Sequence, residues 1–596
     1  MTRVRRSVAV LAVLALSAPV ALVVPSADAA TATPRPIVSG WGYFQSPSAA
    51  SVTSVTANAD LFSDVSPFWY QATWDGTAPR VTTNGTYAAN KDYVLPTLKA
   101  TGVPVIPAVV DGTSKGVMAT ILGDATKRGL LVAQLVALAV DNGFDGVDLD
   151  FEGFAFTDGR ASWPTTKPRW QTFVTELSAA MHAQGKLLAI TTPPIYDSQE
   201  TDTSGYWVYD WAGIASSVDR LRVMTYDYSV SGGNIAPFPW VEKVVAFAVT
   251  QVPSTKIQVG VPAYGRNAYK SVVGTCPVAM PSDWNRVVSF SAANAAGALP
   301  LAGPTSSQFQ TTTLARTQAV RTWSTTYQEY SFNYQITYTG LDANGKSTKC
   351  TTTRAGWYDE AKAAVARAQL VGKYRLRGIA QWTVGGEDAA QWSPLRDYAI
   401  SIAPASTKVS ISAPSVVTYG KTATVKASLL AGASPLSGVT ARLWSRPWGG
   451  SAWTSRATAA SSSSGAVSFA PLVVMRPTEW RVTVYSAWDH TYGAATAATK
   501  VRQVMAFWQS ATSISSGTYV RVQARMTPAI KGQKVLRQLY SSGKWTTVAT
   551  AYADADGKVS FAFDPTTRGK TYHYRLVAVS TSTILGVIRP FDVKVT

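Results

Sequence analysis

The sequence predicts an α/β fold: a (β/α)8 TIM barrel with a small α+β insertion after its seventh strand, then two all-β immunoglobulin-like sandwich domains. Three observations carry this reading. Eight short β-rich runs alternate with helical patterns up to about residue 403, the rhythm of a parallel barrel. A Thr-, Ser-, Tyr- and Gln-rich stretch at about 267–356 interrupts that rhythm once. After Pro404 the chain turns to Ser, Thr, Val and Ala without long helical patterns, and one unit is written twice.

The barrel strands are expected at IVSGWGYF (37–44), VSPFWYQA (65–72), VPVIPAVV (103–110), GVDLDF (146–151), KLLAITT (186–192), LRVMTYDY (221–228), KIQVGVPAY (256–264) and RGIAQWTV (377–384). Their β-branched and aromatic content suits a pleated, buried surface. LLVAQLVALAVDNG precedes the fourth run and RWQTFVTELSAAMHAQG follows it, while WVEKVVAFAVTQV and WYDEAKAAVARAQLVGKY precede the last two. These carry the apolar spacing of helices packed on a barrel wall. The insertion contains the strand-like YSFNYQITYTG and both cysteines, Cys276 and Cys350. In the C-terminal part GKTATVKASL parallels GTYVRVQARM, GAVSFA parallels GKVSFAF, and EWRVTVYS parallels YHYRLVAVS, at offsets of 97, 92 and 94 residues. That unit length predicts tandem sandwiches over 404–500 and 501–596.

Residues 1–29 have the form of a secretory signal. Arg3, Arg5 and Arg6 precede an apolar stretch from Val8 to Val24, and Ala27-Asp28-Ala29 fits a cleavage site. Ser17 and Pro19 interrupt the stretch, which favours a cleaved leader over a membrane helix and starts the barrel domain (30–403) near Ala30. The mature chain is expected to be secreted, extracellular or cell-wall associated, monomeric, and without a membrane partner. In that compartment two cysteines favour a Cys276–Cys350 disulfide over a metal site, which wants four ligands. The only histidines are His182, His490 and His573; their placement argues against a Ser-His-Asp site and a His-ligated zinc. No metal and no cofactor is expected.

Charge is unevenly divided. Residues 30–403 hold 29 basic and 28 acidic side chains, whereas 404–596 hold 22 basic and only 6 acidic. The basic third suits an anionic cell-wall polymer, or equally a solvated surface. No recognition motif accompanies the charge, so nucleic acid is not an expected partner.

Chemistry concentrates in GFDGVDLDFEGF (143–154). On a strand Val147, Leu149 and Phe151 share one face while Asp148, Asp150 and Glu152 share the other, stepping about 6–7 Å along it. Catalytic groups sit at the C-terminal ends of barrel strands, where Glu152 falls. Asp145 has the opposite parity and is given a structural role. Stacked carboxylates cannot all ionise cheaply, so one pKa should rise, as a general acid requires. A calcium loop also spaces Asp residues two apart, but it has no use for large apolar residues between them.

With these residues the chain resembles glycoside hydrolase family 18, the chitinase-like enzymes. Asp145-x-x-Asp148-x-Asp150-x-Glu152 resembles the DxxDxDxE signature, and Met224-Thr225-Tyr226-Asp227 is similar to the M-x-Y-D of the sixth strand. Pro262-Ala263-Tyr264-Gly265-Arg266, Gln381-Trp382 and Gly42-Tyr43-Phe44 resemble the ends of the seventh, eighth and first strands. The resemblance covers roughly residues 36–403. Pro239-Trp240-Val241-Glu242 and the GGED at 385–388 look closest to the bacterial cell-wall and spore-lytic branch.

The resemblance implies a retaining hydrolase of β-1,4-linked N-acetylglucosamine-containing glycans, chitin or peptidoglycan, in which the substrate's own acetamido group is the nucleophile. It implies Glu152 as general acid/base and Asp150 as orienter of the acetamido group. Asp148 would share a proton with Asp150, and Tyr226 would bond the acetamido oxygen. Trp382 is expected under the sugar, with Asp227, Tyr43, Trp41 and Trp69 lining the site. Two other classes compete: a non-catalytic glycan-binding lectin on the same barrel, and a two-carboxylate glycosidase using Asp227 or Glu387 as nucleophile.

Overall fold

Eight strand positions close into a barrel in the computed structural model, which describes residues 33–301 and 313–596; the expected leader at 1–29 lies outside the described residues. The strands are β1 (Val38–Gly42), β2 (Ser66–Pro67), β3 (Tyr70–Trp74), β4 (Pro79–Thr83), β5 (Ala108–Asp111), β6 (Gly146–Asp150), β7 (Leu187–Thr192), β8 (Arg220–Val223) and β9 (Ile257–Pro262), followed after an insertion by a returning strand, Gly378–Trp382. The sheet runs β2-β1-(Gly378–Trp382)-β9-β8-β7-β6-β5-β3-β4. All neighbours are parallel except the β3–β4 hairpin. β2 pairs with β1 while β3 pairs with β5, so the run 66–74 joins the two ends of the sheet.

The expected second strand is therefore broken in two. The backbone turns at Phe68 and Trp69, where Trp69 N–H donates to Pro67 O at 2.9 Å. The expected sixth strand also ends early: β8 stops at Val223, and Met224–Asp227 leaves the sheet as a loop. The predicted helices form at Ala125–Asp141, Trp163–Ala183, Phe238–Gln251 and Ala361–Tyr374. They pack on the outward parity of the strands. Val147, Leu149 and Phe151 are fully buried, and Phe151 lies against Trp170 and Phe173 at ring separations of 6.3 and 6.2 Å. Burying side chains of this size stabilises by about 1.5–3 kcal/mol each.

The insertion is a mostly antiparallel sheet, β10 (Tyr264–Gly274), β11 (Val288–Ser291), β12 (Leu314–Arg316), β13 (Val320–Ser324), β14 (Glu329–Leu341) and β15 (Ser347–Tyr358). It begins and ends a few residues outside the expected 267–356. Cys276 and Cys350 form a disulfide within it. Its Glu329, fully buried, accepts from Ile235 N–H and Ala236 N–H at 2.9 and 2.7 Å, which fastens the loop after β8 to the insertion.

The C-terminal third forms two β units with separate cores, one around Leu429, Leu443, Trp480 and Val482, the other around Val522, Phe561, Leu576 and Val593. The pairing Thr407–Ser412 to Lys426–Ala431 to Ala466–Ser468 in the first recurs as Val504–Gln509 to Val520–Thr527 to Lys558–Phe563 in the second. The repeat seen in sequence is thus a repeat of strand pairing. Strand Gly493–Arg502 runs two residues past Lys500, where the break between the units is expected. No helix among the described residues is long and apolar enough to cross a membrane.

Candidate active site

The inward parity of β6 decides where the acids go. Asp148 and Asp150 point into the barrel, 0% and 6% exposed, and Glu152 follows at the strand's C-terminal end. A cleft of about 520 Å³ opens there, lined by Asp150, Glu152, Tyr226 and Asp227 on the polar side and by Trp41, Phe68, Met224, Trp240 and Trp382 among its apolar walls. Gly153 lets the chain turn tightly behind Glu152, since a Cβ at this position would come within 2.5 Å of Asp111 Oδ2.

Asp148 forms the base of the stack. Trp41 Nε1 donates to its Oδ2 at 2.8 Å, Thr191 Oγ1 to its Oδ1 at 2.9 Å, and Arg222 Nη1 to its Oδ2 at 2.6 Å. Arg222 is fully buried and also binds Asp64 and Ser66, while its Nε donates to Gln258 Oε1 at 3.0 Å. Burial pushes the Asp64 carboxyl up, but the charges of Arg222, Arg220 and Arg377 outweigh it and hold Asp64 below the ordinary range. The barrel centre is thus two carboxylates neutralised largely by one guanidinium.

Asp150 has the opposite environment. Burial, then the charges of Glu152 and Asp148, then a hydrogen bond to Glu152, push its pKa well above the carboxylate range. Glu152 is raised chiefly by burial; the hydrogen bond from Asp150 works against this and the charge of Asp227 adds to it. Burial and mutual proximity thus raise both carboxyls, Asp150 the more strongly. The Asp148 oxygens accept from Arg222, Trp41 and Thr191. Asp145 caps the opposite end of β6, accepting from Val105 N–H at 2.8 Å, in keeping with its structural role.

Tyr226 sits beside the acids with its phenol held protonated by burial and by the charge of Asp150. Trp41 and Trp382 meet edge-on at 6.2 Å, and Trp41 meets Tyr226 at 6.5 Å. Tyr43 stacks on Tyr87 at 4.4 Å and stands 6.0 Å from Trp382, lining an adjoining hollow of about 300 Å³ shared with Asp227 and Tyr264. Trp69 is a correction. It is fully buried against Phe144 with its indole N–H on Tyr43 O, outside the cleft. The break in the second strand flips the parity, so Phe68 faces the cleft instead. Glu387 lies away from the cleft lining, accepting from Ser54 and from Gly385 N–H. Asp227 lines the cleft but is held by Tyr264 Oη and by Arg266 at 2.6 Å. Sequence reasoning missed Arg222, whose signal was its inward parity on a buried strand. It also missed Tyr196, Tyr206 and Tyr228, which line the cleft from loops.

A carboxylate pair thus sits at the mouth of a (β/α)8 barrel, backed by a buried cation and walled by aromatic rings, at the end where barrel enzymes carry their active sites. Residues 93–387 match the model for glycosyl hydrolases family 18, and the barrel of this chain belongs to that family. A putative sporulation-specific glycosylase, YdhD, of Bacillus subtilis (strain 168) is 26% identical over 276 residues, covering 46% of this chain and 54% of the relative. The cortical fragment-lytic enzyme of the same organism is 24% identical over 282 residues, covering 46% and 55%. The chain thus spans about half the length of these curated relatives. Among solved structures, a chitinase from Chromobacterium violaceum ATCC 12472 aligns with a TM-score of 0.44 at 23% identity, over 60% of this chain and 97% of that one.

Proposed function

We propose that this chain is a secreted retaining glycoside hydrolase that cleaves β-1,4-linked N-acetylglucosamine-containing glycans with the substrate's acetamido group as nucleophile. One observation carries the reading. Asp150 and Glu152 enter the cleft from the same strand end, and the third carboxylate lining it, Asp227, is engaged by Tyr264 and Arg266. A conventional retaining pair needs two carboxyl groups flanking the bond. Among the described residues no free opposed carboxylate lines the cleft, which supports a nucleophile supplied by the sugar.

In this mechanism Glu152 gives its proton to the glycosidic oxygen as the bond to the anomeric carbon breaks. The acetamido oxygen attacks that carbon and closes an oxazolinium ring. Asp150, relieved of its hydrogen bond to Glu152, turns to the acetamido N–H, and Tyr226 donates to the acetamido oxygen. Glu152, now a carboxylate, takes a proton from the water that opens the ring with net retention. Trp382 and Trp41 form the floor under the sugar. The similarity to cortical fragment-lytic and sporulation-specific relatives favours peptidoglycan over chitin. The C-terminal units read as immunoglobulin-like sandwiches that hold the enzyme on an anionic wall polymer.

The wild-type chain should release reducing N-acetylglucosamine ends from chitin oligomers or peptidoglycan, identified by mass spectrometry, and a thiazoline mimic of the oxazolinium should inhibit it. Robust hydrolysis of plain glucans would contradict substrate assistance, and tight binding without cleavage would favour the lectin. The acid must be protonated, so activity falls as pH rises through the Glu152 pKa. The Asp227 charge helps raise that pKa. Asp227→Asn should therefore shift the alkaline limb of the kcat/KM profile to lower pH, and an unmoved limb would rule out the coupling.

A further inference from the structure

The two C-terminal units carry the same pairing of arginine and aromatic rings in the same register. In the first, Ala441, Leu443, Val482 and Val484 are buried, so alternation turns Arg442, Trp444 and Arg481 to the outer face of their sheet. Arg481 lies cross-strand from Trp444, its guanidinium 6.0 Å from the Trp453 ring and donating to Tyr492 Oη at 2.6 Å. Arg442 rises diagonally from it, 5.5 Å from the Trp444 ring and 5.8 Å from that of Tyr485. In the second unit Arg575 takes the register position of Arg481, cross-strand from Gln538, and stacks on Trp545 at 4.4 Å. Tyr540 lies 5.1 Å from Trp545. Tyr485, Tyr492 and Tyr540 are 55%, 46% and 44% exposed.

Charge on these faces is mostly uncompensated. Arg446 is paired with Glu479 at 2.6 Å, and His573 with Asp592 at 2.8 Å. Among the described residues no carboxylate lies within ion-pair distance of Arg442, Arg481 or Arg575. Flat rings beside guanidiniums that lack a carboxylate partner suit a ligand with both apolar sugar faces and anions.

We propose that the outer faces around Arg442, Arg481 and Trp453, and around Arg575 and Trp545, bind a linear phosphodiester-linked sugar polymer. Sugar rings lie on Trp453, Tyr485 and Trp545 while the guanidiniums bond the phosphates. Arg442 and Arg481 approach from neighbouring strands and can bond separate oxygens of one phosphate. The large excess of basic residues in 404–596 supplies the long-range attraction. This deepens the wall-retention part of the reading above and rests on it, and it does not involve the cleft.

The test uses the full chain with Glu152→Gln, so that bound glycan is not cut, and measures binding to glycosylated poly(glycerol phosphate), polygalacturonate, chitin oligomers and single-stranded DNA at low and moderate salt. Poly(glycerol phosphate) should bind tightest, with affinity falling at least tenfold as salt rises. Arg481→Ala with Arg575→Ala should weaken it at least tenfold. Trp453→Ala with Trp545→Ala should weaken it without changing the salt dependence. In the wild-type background Arg481→Ala with Arg575→Ala should leave turnover of soluble N-acetylglucosamine oligomers unchanged, which shows an intact fold. No binding to the phosphate polymer overturns both wall retention and these faces. Binding that survives both double substitutions overturns the faces alone, and tighter binding of DNA or polygalacturonate overturns the ligand class.

Discussion

Glu152→Gln should lower kcat on N-acetylglucosamine oligomers by about 10³-fold, within the range that positioned proton transfer contributes, while KM changes little. Glutamine fills the same volume and keeps a hydrogen bond to Asp150, but it has no proton to give the leaving oxygen. The loss should depend on the leaving group. A substrate with an acidic aryl leaving group needs little protonation, so on it the first step should recover most of its rate. The alkaline limb of the pH profile should vanish in the variant, because the group that titrates there is gone. Thermal unfolding should move little or upward, since a buried acid with a raised pKa is a cost to the fold at neutral pH. Activity within tenfold of wild type on the oligomers would falsify the acid assignment and return attention to Asp150.

The sign of the pH effect on stability follows from the same groups. Asp150 and Glu152 have folded pKa values above their unfolded ones, so the native state holds their protons longer. Stability from this pair is greatest below the ordinary carboxylate range and declines as pH rises through the raised values. The site thus works against the fold in the pH range where the acid must stay protonated to act. Asp64 behaves oppositely, and the two effects meet across Asp148.

The order of elements was legible because periodicity is local. The alternation of Val147, Leu149 and Phe151 with Asp148, Asp150 and Glu152 is written in consecutive residues, and it assigned faces that the structure retains. The same logic failed for Trp69. Parity holds only along an unbroken strand, and the turn at Phe68–Trp69 resets it. Asp148 shows a second limit. Its neighbours in sequence suggest a proton partner, but its donors come from Trp41, Thr191 and Arg222, the last 74 residues away. Closure of the barrel brings them together, and no short window of sequence contains that information. The repeated Arg-on-Trp pairs were half legible: the offsets near 95 residues marked the repeat, but register was needed to place Arg481 and Arg575 at equivalent positions.

Arg222→Met should cost the barrel about 3–5 kcal/mol, the usual range for removing one partner of a buried ion pair. The side chain is fully buried and is held by Asp64, Asp148, Ser66 and Gln258. Methionine matches its stem but leaves two carboxylates in the barrel with their main cation missing. The pH dependence should reverse in a specific way. In wild type the Asp64 pKa is depressed, so its contribution is present above the unfolded value and is lost as pH falls through the folded one. In the variant Asp64 loses the largest of its three counter-charges, and the deficit should be largest at neutral pH and shrink towards acid as the carboxyl protonates. Adding Asp64→Asn should restore part of the loss at neutral pH, which simple loss of packing would not allow. Hydrogen exchange at β6 and β8 reads the barrel separately from the C-terminal units, where a single melting curve would mix them. Equal protection in wild type and variant would mean that water or a shifted Arg220 neutralises the site. The same variant should also lose activity out of proportion to its folded fraction, because the buried guanidinium holds Asp148 in place beneath Asp150. Asp148 in turn is one of the neighbours that raise the Asp150 pKa.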